Sequence, residues 1–155
     1  MSASGELRCD LAYRYFTYLS PAHRSVNAAY GTTYALEPYV MAADVYGAAP
    51  YQGQGGWSWY TGAAGLMQRA VIESIFGLQQ QATTLCLTPC LPSHWNEAQL
   101  TLRRDGNSLH FILLRTRADA AQEAARLRTA RVLNAGESLA WHGLPDGIRF
   151  LVPLA

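Results

Sequence analysis

The sequence predicts an α+β protein in which helices come first and an antiparallel β unit follows. Apolar residues recur with a helical period up to about residue 80, and the later segments are shorter and close to period two. Half of the 155 residues are hydrophobic and only 15% are charged, which favours a folded chain with a sizeable core over disorder. We therefore predict two parts, residues 1–80 and residues 81–155.

Three segments of the first part carry the helical pattern, and they span residues 6–19, 33–47 and 61–77. In the second segment, Pro38 is tolerated only in the first turn, so this helix is expected to begin near Leu36 or Glu37. In the third, Thr61 is predicted as the N-cap, and Gly77 stands where a C-cap glycine is expected. The third segment is the strongest helix prediction of the sequence.

Six short segments of the second part are predicted as strands, because they alternate in hydrophobicity and are separated by turn sequences such as DGN and PDG. They span residues 83–89, 97–104, 108–116, 130–136, 137–143 and 148–154. The alanine-rich residues 117–130 fit either a short helix or a long loop between strands. The strands together predict a small, sandwich-like antiparallel β domain.

The charge distribution argues against a nucleic acid partner, and the hydropathy pattern argues against a membrane segment. The formal net charge is +1, and the 12 basic residues are all arginines scattered along the chain. No apolar run approaches the roughly 20 residues that cross a bilayer, and the N-terminal residues lack the basic and apolar regions of a signal peptide. We therefore expect a soluble, cytoplasmic chain with no membrane segment and no nucleic acid partner.

The cysteines and histidines suggest structural roles. Cys9, Cys86 and Cys90 are odd in number, and the spacing of the last two matches neither a zinc knuckle nor a redox pair, so we expect free, buried thiols. His94 is expected to pack or hydrogen-bond in a loop rather than act as a base, and His23 to cap carbonyl groups after the first helix. Since no second histidine stands at ligand spacing, no metal site is predicted.

The stretch GQGGWSWYTGAAG, residues 53–65, places five glycines among bulky aromatic residues directly before the third predicted helix. A helix N-terminus exposes unpaired amide groups and a partial positive charge, so Thr61 and Gly62 form a candidate site for phosphate or another oxyanion. The glycines let the preceding loop turn tightly.

The same stretch also offers candidate sugar contacts. Trp57, Trp59 and Tyr60 present flat faces and polar edges to a sugar ring, and Gln54 is a further candidate contact. A threonine before a helix is usually only a cap, glycines usually serve turns and tryptophans are usually packed, so ordinary structural roles also account for the same residues. The physics of the sequence alone leaves both interpretations open.

Two longer stretches carry a resemblance to a known family. EPYVMAADVYGAAPYQGQGGWSWYTGAAGLMQRAVIESIFGL, residues 37–78, and PCLPSHWNE, residues 89–97, resemble the C-terminal region of the inverting disaccharide phosphorylases of glycoside hydrolase family 94. That family includes cellobiose and chitobiose phosphorylases and the phosphorylase-like domain of cyclic β-1,2-glucan synthases. The resemblance implies the last helices of an (α/α)6 barrel followed by a small C-terminal β domain.

The resemblance also implies ligands. The family's phosphate-binding Thr-Gly pair falls on Thr61 and Gly62, where the helix-start argument independently predicts an oxyanion. The parent enzyme would use inorganic phosphate as co-substrate, require no cofactor, and act on a β-glucan or a β-linked disaccharide.

The sequence departs from the family at the general acid. The acid of the family lies in a Gly-Asp-Trp-Asn-Asp-Gly motif, and a phosphate-contacting histidine lies in a Glu-Asn-Gly-Ala segment; neither motif occurs in this sequence. None of the four candidate replacements resembles that acid: Glu37, Asp44, Glu73 and Glu97. Glu37 suits a helix start, and Glu73 suits an ion pair with Arg69 one turn away.

We therefore expect a C-terminal fragment of a phosphorylase-like protein that contributes the Thr-Gly loop, holds no catalytic residue and is inactive alone. The alternative is a stand-alone carbohydrate-binding or assembly module without catalysis. A third possibility is a remnant of a decayed gene, whose exposed, apolar helical surface would have to be covered by self-association. A homo-oligomer is therefore expected.

Overall fold

The computed structural model of the chain describes residues 3–127 and 130–154. The terminal residues 1, 2 and 155, and residues 128 and 129 of the alanine-rich segment, lie outside the described residues. The chain divides into a helical unit, Leu11–Val71, and a β unit, Met1–Asp10 with Ile72–Ala155. The mixture of helix and sheet agrees with the α+β class. The barrel origin of the helices and the boundary between residues 80 and 81 stay predictions.

Five α-helices lie within the described ranges. They are α1 (Ala3–Leu19), α2 (Pro21–Arg24), α3 (Ala28–Tyr34), α4 (Thr61–Arg69) and α5 (Arg117–Arg126), and α4 continues as a π-helical turn, Ala70–Ile75. The helices predicted at 6–19 and 61–77 are thereby confirmed. The predicted N-cap is wrong by one residue, because Tyr60 is the cap and Thr61 is the first helical residue. Gly77 ends the helix with φ +70°, a conformation that favours glycine.

The helix predicted over residues 33–47 is wrong. The helix α3 begins earlier and ends at Tyr34, where Ala35 takes a left-handed conformation with φ 57°. Asn27 starts α3 by accepting a hydrogen bond from the Tyr30 amide, a cap that the helical pattern of residues 33–47 concealed. Pro38 disfavours the helical conformation of the residue before it. The segment continues instead as turns and irregular chain, with one isolated bridge between Val45 and Gly55.

Tyr34 connects two segments of the helical unit by hydrogen bonds. Its side chain is completely buried, and its hydroxyl donates to the Val40 carbonyl oxygen (2.9 Å) and accepts from the Ala42 amide (3.2 Å). Burial raises the pKa of the Tyr34 phenol. Tyr34 therefore ties the end of α3 to the segment that follows.

Among the described residues, the β unit contains two sheets. Its strands are β1 (Leu78–Gln80), β2 (Thr84–Leu87), β3 (Glu97–Arg104), β4 (Asn107–Leu114), β5 (Arg131–Val132), β6 (Ser138–Ala140) and β7 (Ile148–Pro153). One sheet has the order β1-β2-β6 and is antiparallel, and the other has the order β3-β4-β7-β5. The six predicted strand segments are confirmed: β3 has the predicted bounds, β4 begins one residue and ends two residues earlier than predicted, and the other four are shorter. The strand β1 was not predicted.

The prediction of a purely antiparallel unit is wrong for the second sheet. Here β3 and β4 form an antiparallel hairpin, but β7 runs parallel to both β4 and β5. The reason is α5, which settles residues 117–126 as a helix rather than a loop. A helical crossover returns the chain to the same end of the sheet, so that β5 can follow β4 in the same direction.

The core of the β unit lies between aromatic and aliphatic side chains of β4 and β7. Phe111 and Phe150 are both buried and stack with ring centroids 5.3 Å apart. On the opposite face, α5 packs its Ala120 against Leu114 and Leu151. Both faces of the central strands are thus covered, as a parallel strand pair requires.

The prediction of three free thiols is wrong for two of them. Cys9 and Cys90 form a disulfide across 81 positions of sequence, and Cys86 remains free. Beside the disulfide, the Asp10 carboxylate accepts hydrogen bonds from the Ser93 amide (2.6 Å) and hydroxyl (2.9 Å). These two hydrogen bonds hold the pKa of Asp10 below its usual value. The first turns of α1 are therefore attached to the segment that follows β2.

Within residues 3–127 and 130–154, no helix combines the length and the apolar character needed to cross a membrane.

Candidate functional site

The glycine-rich segment before α4 is held in place by backbone hydrogen bonds within the helical unit. The Gly55 amide donates to the Tyr34 carbonyl oxygen, and the Gly56 amide donates to the Asp44 carbonyl oxygen, both at 2.9 Å. A Cβ atom at Gly56 would overlap the Asp44 carboxylate. A side chain at Gly56 would therefore require the Asp44 carboxylate to move. Of the predicted turn glycines, Gly53 has the positive φ, +88°.

Thr61 lies at the exposed start of α4. The N-cap residue, Tyr60, has an extended backbone and provides no side-chain hydrogen bond to the first turn. The first-turn N–H groups of any helix have no acceptor inside the helix. In α4 they also receive no acceptor from the side chain of the N-cap residue. Thr61 and Gly62 are both exposed, which keeps this helix start open to a ligand.

Gly62 has a second, packing role. A Cβ atom at this position would lie 3.2 Å from the Tyr60 ring and 3.4 Å from its hydroxyl oxygen. A Cβ atom at this position would therefore require the Tyr60 ring to shift slightly. Gly62 allows the Tyr60 phenol to lie against the first turn of α4, close to the exposed amides.

The aromatic residues of the segment form two separate pairs. Trp57 stacks on Tyr60, with ring centroids 5.2 Å apart and an interplanar angle of 21°. Trp59 has a left-handed backbone, φ 61°, and its ring meets Tyr39 edge-to-face at 6.5 Å. Both tryptophans are largely exposed, by 72% for Trp57 and 68% for Trp59. Positive φ in a bulky residue is uncommon and is concentrated at functional positions.

A cleft of about 230 Å³ opens beside the helix start. Its lining consists of Tyr39, Val40, Met41, Trp59, Tyr60, Thr61 and Ala64. The volume is smaller than the roughly 300–1,000 Å³ of sites for drug-sized ligands, so it suits one small group such as a single ring. The structure thus brings together three of the six predicted site residues: Trp59, Tyr60 and Thr61.

The other three predicted site residues do not line this cleft. Gly62 lies beneath the Tyr60 ring, and Trp57 stacks on the same ring. Gln54 is half-buried. Its backbone N–H donates to the Tyr51 carbonyl oxygen, and its backbone carbonyl oxygen accepts from the Tyr46 N–H, both at 2.9 Å. Ligand binding by all six residues stays a prediction.

Sequence analysis missed Tyr39 as a site residue. Its side chain is 74% exposed and forms one wall of the cleft opposite Trp59. Tyr39 was missed because the wrong helix prediction for residues 33–47 treated it as one position of a helix rather than as part of a surface turn. The sequence feature that could have revealed it is an aromatic residue directly after Pro38, where a turn competes with a helix.

The candidate carboxylates and histidines occupy varied positions. Glu37 is exposed in a turn, where its carbonyl oxygen accepts from the Val40 amide at 3.0 Å, and Asp44 lies against Gly56. Glu73 and Glu97 belong to the β unit.

His23 contacts Ser20 (3.0 Å) and Tyr13 (3.3 Å) through its two ring nitrogens. His94 is exposed beside the Trp95 ring. Across the described residues, no three His, Cys, Asp or Glu side chains are grouped so that they could hold a metal ion.

Comparison with known proteins gives one family and several relatives. Residues 4–77 match the model of the glycosyl hydrolase 94 superfamily, catalytic domain. Cyclic beta-(1,2)-glucan synthase NdvB of Rhizobium meliloti (strain 1021) is 32% identical over 139 residues, which cover 90% of this chain and 5% of that protein. Solabiose phosphorylase of Paenibacillus borealis is 34% identical over 65 residues, or 41% of this chain and 8% of that protein.

A third relative covers an intermediate share of the chain. N,N'-diacetylchitobiose phosphorylase of Vibrio proteolyticus is 27% identical over 106 residues, or 67% of this chain and 13% of that protein. The chain therefore spans only a small part of the length of these curated relatives.

Proposed function

Because this chain belongs to the glycosyl hydrolase 94 superfamily through residues 4–77, we propose that the cleft beside α4 binds a phosphate group next to a sugar ring. The observation that carries the proposal is the exposed, side-chain-uncapped N-terminus of α4, whose Thr61 lines the same cleft as Trp59 and Tyr60. Two of the relatives are phosphorylases by name, which supports phosphate and a sugar as ligands.

Each wall of the cleft has a distinct role in this proposal. The amides of the first turn and the positive end of the helix dipole attract the oxyanion, and the Thr61 hydroxyl donates a further hydrogen bond to it. Trp59 and Tyr39 provide the aromatic surface on which the apolar face of a pyranose ring can pack. Trp57 and Gly62 act on Tyr60, by stacking on its ring and by leaving it space.

We assign inverting phosphorolysis to the larger protein of which this chain would be a part. A phosphate oxygen attacks the anomeric carbon from one face, while a general acid protonates the leaving glycosidic oxygen on the other face. The helix start supplies the phosphate side only. Since Asp44 is held against Gly56 and Glu37 is exposed in a turn outside the cleft lining, we assign the acid to a segment outside this sequence. The chain would then be a C-terminal part of a larger enzyme and inactive alone.

The surface of the helical unit supports an origin in a larger helical assembly. Except for Leu7 and Val132, every exposed large hydrophobic side chain recorded among the described residues lies in this unit. Leu66 on α4 is 68% exposed, and it lines an apolar groove of about 300 Å³ together with Leu19 and Met67. Apolar surface of this kind is normally covered in a complete protein.

The test of the site is binding of inorganic phosphate to the purified chain, followed through the backbone amide signals in nitrogen-15 NMR spectra. Phosphate at millimolar concentration is expected to shift the signals of Thr61, Gly62 and Ala63. Thr61→Val removes the hydroxyl and should weaken binding roughly tenfold or more, the usual cost of losing a hydrogen bond to a charged group. Thr32→Val changes an exposed threonine of α3 in the same way and is expected to leave binding unchanged.

Two results would reject this proposal: first-turn signals that do not respond to phosphate, or Thr61→Val binding phosphate as tightly as the unaltered chain. A separate assay addresses activity. The chain alone is expected to release no sugar 1-phosphate from any β-linked disaccharide, and measurable release would contradict the missing acid.

The second candidate is a carbohydrate-binding module without catalysis, favoured by the exposure of Trp57 and Trp59. It predicts that gluco-oligosaccharides change tryptophan fluorescence in the absence of phosphate. A response that Trp59→Ala abolishes would support this candidate, and an unchanged spectrum at millimolar sugar would count against it.

A further inference from the structure

We propose that β3 is the contact through which two copies of this chain pair, edge to edge, as an antiparallel dimer. The strand has eight residues, Glu97–Arg104, and stands at the end of the sheet order β3-β4-β7-β5. Among the strands that the structure describes, β4 alone pairs with it. A terminal strand of this length presents a row of backbone N–H and C=O groups that can template pairing with another chain.

The exposed face of β3 is complementary to itself in charge. Its side chains alternate, so that Glu97, Gln99, Thr101 and Arg103 are exposed on one face. In an antiparallel pair, residues directly opposite each other lie on the same face of the sheet. A twofold axis through Leu100 therefore places Glu97 opposite the partner's Arg103, and Arg103 opposite the partner's Glu97.

The same register closes the apolar face. Ala98, Leu100 and Leu102 are only half-buried, although they continue the face on which β4 presents buried core residues. Those core residues are Leu109, Phe111 and Leu113. About the same axis, Leu100 meets the partner's Leu100, and Ala98 meets the partner's Leu102. Pairing would therefore cover apolar side chains that the sheet itself leaves partly open.

The charges also select the register. Sliding one strand by two residues keeps the faces aligned but separates both Glu97 and Arg103 from their opposite charges. Opposite-charge pairs across antiparallel strands are stabilising, and like charges directly opposite are destabilising. The register with both ion pairs is thus favoured over its neighbours, and it forms about six to eight backbone hydrogen bonds.

The other edge of the sheet prevents further growth. That edge is β5, which has two residues, Arg131 and Val132. So short an edge offers little template for another strand, which is a common protection against open-ended pairing. Two copies would join their sheets through β3 and stop there, as expected for a closed twofold dimer.

The experiment is sedimentation velocity of the purified full chain over a range of concentrations. The unaltered chain is expected to show a concentration-dependent dimer. Arg103→Glu places Glu opposite the partner's Glu97 at both ends, and it should raise the dimer dissociation constant roughly tenfold or more. The double variant with Glu97→Arg and Arg103→Glu restores both opposite-charge pairs and should regain the dimer.

Arg149→Glu is the matched control, because Arg149 is exposed on β7, an inner strand of the same sheet. It makes the same charge change away from the edge and should leave the dissociation constant unchanged. Circular dichroism of each variant verifies that the chain is folded. A chain that stays monomeric at all concentrations would overturn the proposal. So would an Arg103→Glu effect no larger than that of the control, or a double variant that does not regain the dimer.

Discussion

Removing the Cys9–Cys90 disulfide is expected to be strongly destabilising. The bond joins residues 81 positions apart, and both belong to the β unit. In the chain-entropy description, closing a loop of that length lowers the entropy of the unfolded chain, which stabilises the folded state by about 4.5 kcal/mol at room temperature. Losses on removing native disulfides from small domains are typically about 2–5 kcal/mol. We therefore expect a loss of this size for the variant with both Cys9→Ser and Cys90→Ser.

The measurement is urea denaturation followed by circular dichroism, for the unaltered chain and the double variant, with Cys86→Ser as control. Cys86 is free and half-buried, so its replacement should cost much less. Thiol titration of the denatured chain should find one free thiol before reduction and three after it, as follows from three cysteines and one disulfide. Three free thiols without reductant, or denaturation midpoints that coincide, would refute the reasoning.

Two further predictions concern single side chains. Tyr34→Phe should reduce the free energy of unfolding by about 1–3 kcal/mol, because it leaves the Val40 carbonyl and the Ala42 amide buried without their partner. Urea denaturation measures this loss, and a change near zero would contradict the hydrogen bonds described for Tyr34. Asp10→Asn should lower thermal stability at neutral pH, where the charged carboxylate accepts both Ser93 hydrogen bonds. Since the folded-state pKa of Asp10 lies below the usual 3.8, its stabilising contribution is present above about that pH and is lost as pH falls through the lowered pKa. The melting temperatures of the unaltered chain and of Asp10→Asn should therefore converge in acid. A constant difference between them down to low pH would contradict a stabilising role of the charged Asp10 carboxylate.

Local signals in the sequence were sufficient for elements whose ends are marked by specific residues. The helix over 61–77 was predictable from its apolar period and from Gly77, whose φ of +70° confirms a helix stop, but the π-helical turn Ala70–Ile75 was not. The hairpin of β3 and β4 was predictable from Asp105 and Gly106, which take the positive φ values, 51° and 82°, that a tight turn requires.

Features that depend on residues distant in sequence were not predictable in this way. The spacing of Cys86 and Cys90 drew attention to neighbouring positions, whereas Cys90 pairs with Cys9, 81 residues away. The parallel direction of β7 depends on whether residues 117–126 form a helix, and an alanine-rich stretch does not decide that without its partners Leu114 and Leu151.

The wrong helix prediction for residues 33–47 changed the picture of the candidate site more than any other error. A helix there would have buried one face and placed Tyr39 among its side chains, whereas the observed turn exposes Tyr39 opposite Trp59. Buried Tyr34 holds the chain that follows this turn, since its hydroxyl hydrogen-bonds the backbone of Val40 and Ala42.

A core hydrogen bond therefore positions a wall of the surface cleft. Tyr34→Phe and Tyr39→Ala should therefore affect ligand binding differently. Tyr34→Phe should change both the position of this wall and the stability of the fold, whereas Tyr39→Ala should remove only the aromatic surface.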